Sequence, residues 1–312
     1  MLTRFRVPVH RPAAAAVVAL LVAACSGATG SPPTTGSPTP SNPLPSTAPT
    51  ASPAATVGPI DHLTGANDVV LRLEQGGGFA PMELNASQAP IFTLYGNGVV
   101  IFKPKVETFP EPDAAGVVHS IPWRTASLDE GQIQELLAFA IGPGGLGTAR
   151  ASYVEGGIAD APNTIFKVKA GGLDKMVVVN ALAEGGEQGP DAAARSAFSK
   201  VSQRLSDFDA GGTIATDVYQ PDAFRGVLIA RDSQPGVTPQ AWPWPALKVA
   251  DFKEAPNGEG GVAFPHRALS KAEVDALGIK DVVGGLQNVI LTGTDGKVYS
   301  LILRPLLPEE SE

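Results

Sequence analysis

Residues Ile91–Lys103 read IFTLYGNGVVIFK, two β-rich runs joined by Gly96-Asn97-Gly98. Asn and Gly accept the positive φ angles of a tight turn, and such a turn between apolar runs predicts an antiparallel hairpin. The pattern recurs downstream. Thr164–Val179 places Ala170-Gly171-Gly172 between two apolar runs, and Val289–Leu303 is centred on Asp295-Gly296. Val69-Val70-Leu71-Arg72-Leu73 reads as a further strand. Hairpins outnumber crossover helices, so the expected class is α+β: a hairpin-rich antiparallel sheet or sheets with helices on one face.

Two helices stand out between these hairpins. Ser127-Leu128-Asp129-Glu130 has the form of a capping box, which predicts a helix running to Ile141 with Ile133, Leu136, Leu137 and Ala140 as its apolar stripe. Gly189-Pro190 predicts the start of a second helix, 190–208, in which Ala194, Phe198, Val201, Leu205 and Phe208 recur at helical spacing. Ile121–Ser127 (IPWRTAS) and Phe264–Ser270 (FPHRALS) match, and each leads towards a Glu three residues after its serine, Glu130 or Glu273. The match suggests two related halves, 61–189 and 209–312, joined by the 190–208 helix.

The opening of the chain has a different character. Met1–Arg11 carries three arginines and no acid, and Ala13–Ala24 is an unbroken apolar run of twelve residues. A spanning helix needs ~20 residues, so this run predicts an export signal over 1–24 rather than a transmembrane segment. It ends in Leu21-Val22-Ala23-Ala24-Cys25, which resembles the lipobox of bacterial lipoproteins. That resemblance implies that Cys25 becomes the lipid-bearing first residue of the mature chain, with diacylglyceryl and acyl (palmitate-type) chains. Cys25 is the only cysteine, so no intrachain disulfide can form. Lipidation would hold the protein to a membrane without spanning it, since two chains suffice for stable anchoring. Residues 25–60 then form the anchor and a Pro/Ser/Thr-rich tether, uncharged over Ser26–Pro59, which has too little apolar surface to order itself. Residues 61–312 form the folded α+β region.

Removal of Met1–Ala24 takes three of the 23 Lys and Arg and none of the 31 Asp and Glu, leaving a net charge of −11. Such a surface argues against a nucleic-acid partner. No reactive constellation emerges from the motifs. Gly142-Pro143-Gly144-Gly145-Leu146-Gly147 has the G-x-G-x-x-G spacing but follows a helix, and reads as that helix's glycine stop. Beyond the signal only His62, His119 and His266 remain, far apart, so neither a metal nor another cofactor is expected. No G-x-S-x-G or S-x-x-K element stands out, and Glu107, Glu111, Asp113, Glu155 and Asp160 read as surface carboxylates. Asn85-Ala86-Ser87 reads as a chance glycosylation pattern. Trp242-Pro243-Trp244-Pro245 is the most unusual segment: prolines stiffen it, and its two indoles either cap the core or offer a strip to a sugar or peptide. Core is the favoured reading.

Together with Leu94–Gly98 and Leu301–Pro308, this segment resembles uncharacterised lipoproteins of actinobacteria and similar bacteria. The resemblance implies an extracytoplasmic location, on the outer leaflet of the cell membrane or on an outer membrane if one exists, and implies no activity. The expected function is a non-enzymatic binding or interaction module of the cell envelope with a protein, peptide or glycan partner. The competing expectation is an envelope hydrolase whose acid and base are invisible at this level.

Overall fold

The computed structural model describes residues 58–310, apart from 155–157, 185–188, 234 and 255–263. These belong to one compact unit, Thr56–Glu312. The expected export signal, Cys25 and nearly all of the expected tether lie outside the described residues, as does Glu155. Ile60, the last residue of the expected tether, is docked: its N–H donates to Gln134 Oε1 at 2.7 Å, and its carbonyl accepts from Gln134 Nε2 at 2.9 Å.

In chain order the elements begin with β1 (Val69–Gly76), α1 (Met82–Ala86), β2 (Phe92–Tyr95), β3 (Val99–Phe102), β4 (Val118–His119) and β5 (Arg124–Ser127). Then come α2 (Glu130–Ile141), β6 (Ser152–Tyr153), β7 (Asn163–Val168), β8 (Lys175–Asn180), α3 (Ala192–Ser206) and β9 (Asp217–Val218). The remainder is β10 (Ala223–Arg231), β11 (Gln240–Ala241), β12 (Lys253–Glu254), β13 (Pro265–Ser270), α4 (Lys271–Asp275), β14 (Leu286–Thr292) and β15 (Val298–Pro305). They build two sheets, ordered β6-β8-β7-β1-β2-β3-β5-β9 and β11-β14-β15-β10-β13-β12, with β4 also pairing β14. Every pairing is antiparallel except the short β6–β8 and β11–β14 contacts. The class is α+β, and the three expected hairpins are β2–β3, β7–β8 and β14–β15.

The first hairpin needs glycine at its turn. Gly98 has φ +83°, and a Cβ there would stand 2.4 Å from the Leu128 carbonyl oxygen. Leu128 N–H donates to Gly98 O at 2.9 Å, so the chain is still paired beyond Ser127. That pairing corrects the expected helix start. Ser127 lies opposite Val99 in the ladder and cannot cap a helix from there. The box forms two residues later, with the Asp129 carboxylate accepting from Gln132 N–H at 2.8 Å and Gln132 Oε1 accepting from Asp129 N–H at 2.9 Å. The downstream counterpart does cap at its serine: Ser270 Oγ accepts from Glu273 N–H and Glu273 Oε2 accepts from Ser270 N–H. The 190–208 helix likewise shortens to α3, two residues at each end. The hairpins after α2 and α4 are threaded differently. In the first sheet the leading strand, β7, lies against β1; in the second the trailing strand, β15, lies against β10.

Each sheet buries its two faces against different neighbours. One face of the first sheet packs Leu71, Phe92, Leu94, Val100 and Phe102 beneath Leu136, Leu137, Phe198, Val201 and Leu205 of α2 and α3. Each such side chain contributes ~1.5–3 kcal/mol when fully buried. Arg195 of α3, itself buried, donates to the carbonyls of Asn180 and Ala181 at 2.8 and 2.6 Å. The second sheet packs Phe224, Leu228, Leu269, Leu301 and Leu303 with α4 and the Trp242–Trp244 segment. Smaller clusters cover the remaining faces: Tyr95, Ile101, Trp123 and Leu307 on the first sheet, Val227, Ile229 and Ile302 with Ala86 on the second. Period-two alternation therefore puts Val99, Ile101 and, just past the strand end, Lys103 in one row on the face away from the helices.

Candidate functional site

A groove of about 750 Å³ opens where residues of both sheets meet. Pockets of ~300–1,000 Å³ are the usual size for small-molecule sites. The groove's lining includes the Gly76–Ala80 run, Leu84 of α1, and Pro104, Val106, Phe109, Pro110 and Pro112. Ile91, Lys103 and Trp123 come from the first sheet, and Gln287, Leu303 and Arg304 from the second. Phe79 is 93% exposed and Phe109 78%, with Leu84 and Val106 also exposed at the same groove. Large apolar side chains left in water at one concavity mark a surface that gains by being covered.

Lys103 is the chemical feature of this groove. Its Nζ donates to Ala89 O at 3.0 Å and lies 5.6 Å from the centre of the Trp123 ring. Among the described residues, no carboxylate lies within ion-pair distance of it. Burial, with the Arg304 guanidinium beside it, lowers its pKa from the ordinary 10.5 to about 8, and Glu310 opposes that only in part. The neighbouring cations are matched. Arg304 is buried and bidentate on Glu310, with both N···O distances 2.7 Å. Burial pushes the Glu310 carboxyl up, but Arg304 and the Leu307 N–H outweigh it and hold the pKa below the glutamate range. Arg72 pairs with Glu309, which also accepts from the Tyr95 hydroxyl.

The segment Leu306–Glu310 thus binds the sheets to each other. Leu306 N–H donates to Ala223 O, Tyr219 hydroxyl donates to Leu306 O, and Leu307 is buried beside Tyr95, Ile101 and Trp123. Pro305, opposite Phe224, is the last ladder residue of β15.

Trp242 and Trp244 are brought together, but away from the groove. Their rings meet edge-on with centroids 5.0 Å apart, and both contact Phe252. Trp244 is 4% exposed and donates to Glu273 O at 2.7 Å, while half-buried Trp242 donates to Leu247 O at 2.8 Å. Both indole N–H groups are thereby committed within the fold. The Gly142–Gly147 run follows α2, as a helix stop does, with Gly144, Leu146 and Gly147 N–H groups donating to Phe139, Ala140 and Ile141 carbonyls. His62 contacts Glu130, and His119 contacts Asp113 and Asp281 O. His266 Nδ1 lies 2.9 Å from Phe264 O. Among the described residues no group of three His, Cys, Asp or Glu is placed to hold a metal ion. Glu107, Glu111, Asp113 and Asp160 are exposed.

Chemically, the groove offers apolar walls, the Lys103 amine, the Arg304 guanidinium already held by Glu310, the exposed Asp160 carboxylate and neutral polar groups. Ser87 and Ser120 also line it; Ser87 Oγ donates to Leu84 O and Lys103 to Ala89 O, and among the described residues no serine–lysine hydrogen bond forms. The motif reading missed Lys103, Trp123, Phe79 and Phe109. For Lys103 a signal existed: it is the only charged residue of IFTLYGNGVVIFK and falls in the Val99–Ile101 row. For the others no local signal existed. No protein-family model matches the chain, and neither a curated protein nor a solved structure matches it.

Proposed function

We propose that this protein is a lipid-anchored, extracytoplasmic binding module that takes a small apolar ligand into the groove between its sheets. The convergence of Phe79, Leu84, Val106 and Phe109 on a single concavity carries this reading, since four exposed apolar side chains there would all be covered by one ligand. The anchor rests on the export signal, the lipobox-like sequence and Cys25. Binding rather than turnover is favoured because, among the described residues, the groove's one amine has no acid, base or hydroxyl partner hydrogen-bonded to it.

Nile red, an uncharged dye that brightens in apolar sites, tests the groove. Its emission should rise with the full chain and fall back in the Phe79→Ser/Phe109→Ser double variant; unchanged dye binding in that variant would remove the groove from the proposal. For the anchor, Cys25→Ser should abolish detergent-phase partitioning, because the lipidated atom is a thiolate sulfur. Normal partitioning of that variant would sink the anchor.

A further inference from the structure

We infer that the groove's ligand is a single-headed amphiphile, an elongated apolar molecule bearing one carboxylate that seats on Lys103; this rests on the groove being the binding site proposed above. Charge matching sets the number of anionic groups at one. Around the groove and its polar margin, Arg72 faces Glu74 and Glu309, Lys167 faces Glu74, and Arg304 faces Glu310. Arg225 is also partnered. Lys103 stands apart, with one carbonyl acceptor and one aromatic face. An ammonium group has three donors, so Lys103 retains donors for an arriving oxygen. A carboxylate there would make a charge-assisted hydrogen bond in a partly desolvated site, where such bonds are strongest.

A dianionic head would bring a second negative charge that no unmatched cation meets. The net negative charge, −8 for the full chain and −11 without Met1–Ala24, opposes polyanions further. The body of the ligand is set by the walls. Phe79, Leu84, Val106 and Phe109 present exposed apolar surface to the groove, which Ile91 and Trp123 also line, Trp123 with its ring against the amine. An alkyl or aryl chain satisfies that surface, and a sugar or a charged peptide does not.

The probes are decanoate, 1-decanol, decylammonium and decyl phosphate, titrated calorimetrically into the full chain at neutral pH. Decanoate should bind at least about tenfold more tightly than decanol, the value of one modest charge-assisted bond. Decylammonium should bind more weakly than decanol. Lys103→Met keeps the aliphatic stem and removes a desolvated charge, so it should fold and lose the tenfold preference for decanoate over decanol. Lys103→Arg should keep the preference. Equal binding of decanoate and decanol, or a preference that survives Lys103→Met, would overturn the acid inference and leave the groove reading standing. Tighter binding of decyl phosphate than decanoate would overturn the single-charge argument. If no decyl probe binds while Nile red still does, the acid inference fails alone; if Nile red also fails, both readings fail.

Discussion

Two aromatic assemblies in this protein solve opposite problems. Around Trp244 the indoles and Phe252 pack edge to face, both indole N–H groups find backbone carbonyls, and one ring is nearly sealed from water. Around Lys103, Trp123 gives its face to a cation, Phe79 and Phe109 stay in solvent, and no carboxylate among the described residues pairs with the amine. The first assembly is complete within the chain. The second leaves its rings and its amine open to a partner. A conspicuous sequence motif therefore marked the self-satisfied cluster, while the unsatisfied one was assembled from residues that look ordinary in sequence.

The largest expected effect tests the closed assembly. Trp244→Ala should destabilise the domain by ~3–5 kcal/mol, a large share of the ~5–15 kcal/mol typical of folded domains. Trp242→Ala, at a half-buried ring, should cost less. Chemical denaturation gives both values, and a near-neutral Trp244→Ala would mean that the indole is not core.

Lys103→Met should act with the opposite sign. Below about pH 8 the folded protein bears the charge in a poorly solvated place, and above 10.5 neither state carries it. Between these values the unfolded chain holds a proton that the folded chain has shed, so wild-type stability should rise with pH across the window. Lys103→Met should flatten that rise and stabilise the protein at pH 7 by ~1–2 kcal/mol, an amount reduced by the residual solvent at the site and by the loss of the Ala89 hydrogen bond. Thermal denaturation from pH 7 to 10.5 measures it. A destabilised, equally pH-dependent variant would make Lys103 a structural residue. Stability given up at a groove and recovered by mutation is the usual mark of a functional group.

The smallest effect belongs to the groove rim. Phe79→Ser/Phe109→Ser should move the melting temperature by less than ~2 °C, because exposed side chains contribute little to folding. A loss of many degrees would place these rings among the fold's own contacts and would bring the two assemblies back into one class.

What the sequence by itself determined is what short-range physics controls. Asn-Gly and Gly-Gly turns specified the hairpins, helical spacing specified Ile133–Ala140 and Phe198–Leu205, and the hairpin balance specified an α+β protein. Even there, the cap of α2 moved from Ser127 to Asp129, because the β5 ladder held Ser127 extended and a pairing strand outranks a local cap. Tertiary structure decided the rest. Which strand of each hairpin lies innermost, the seating of Leu307, Glu309 and Glu310 between the sheets, and the meeting of Phe79, Lys103, Phe109 and Arg304 all depend on chain segments far apart in sequence. Turn and capping preferences act over a few residues, whereas an unmatched charge is defined by every group the fold brings within reach of it, and for Lys103 those groups include residues some two hundred positions away.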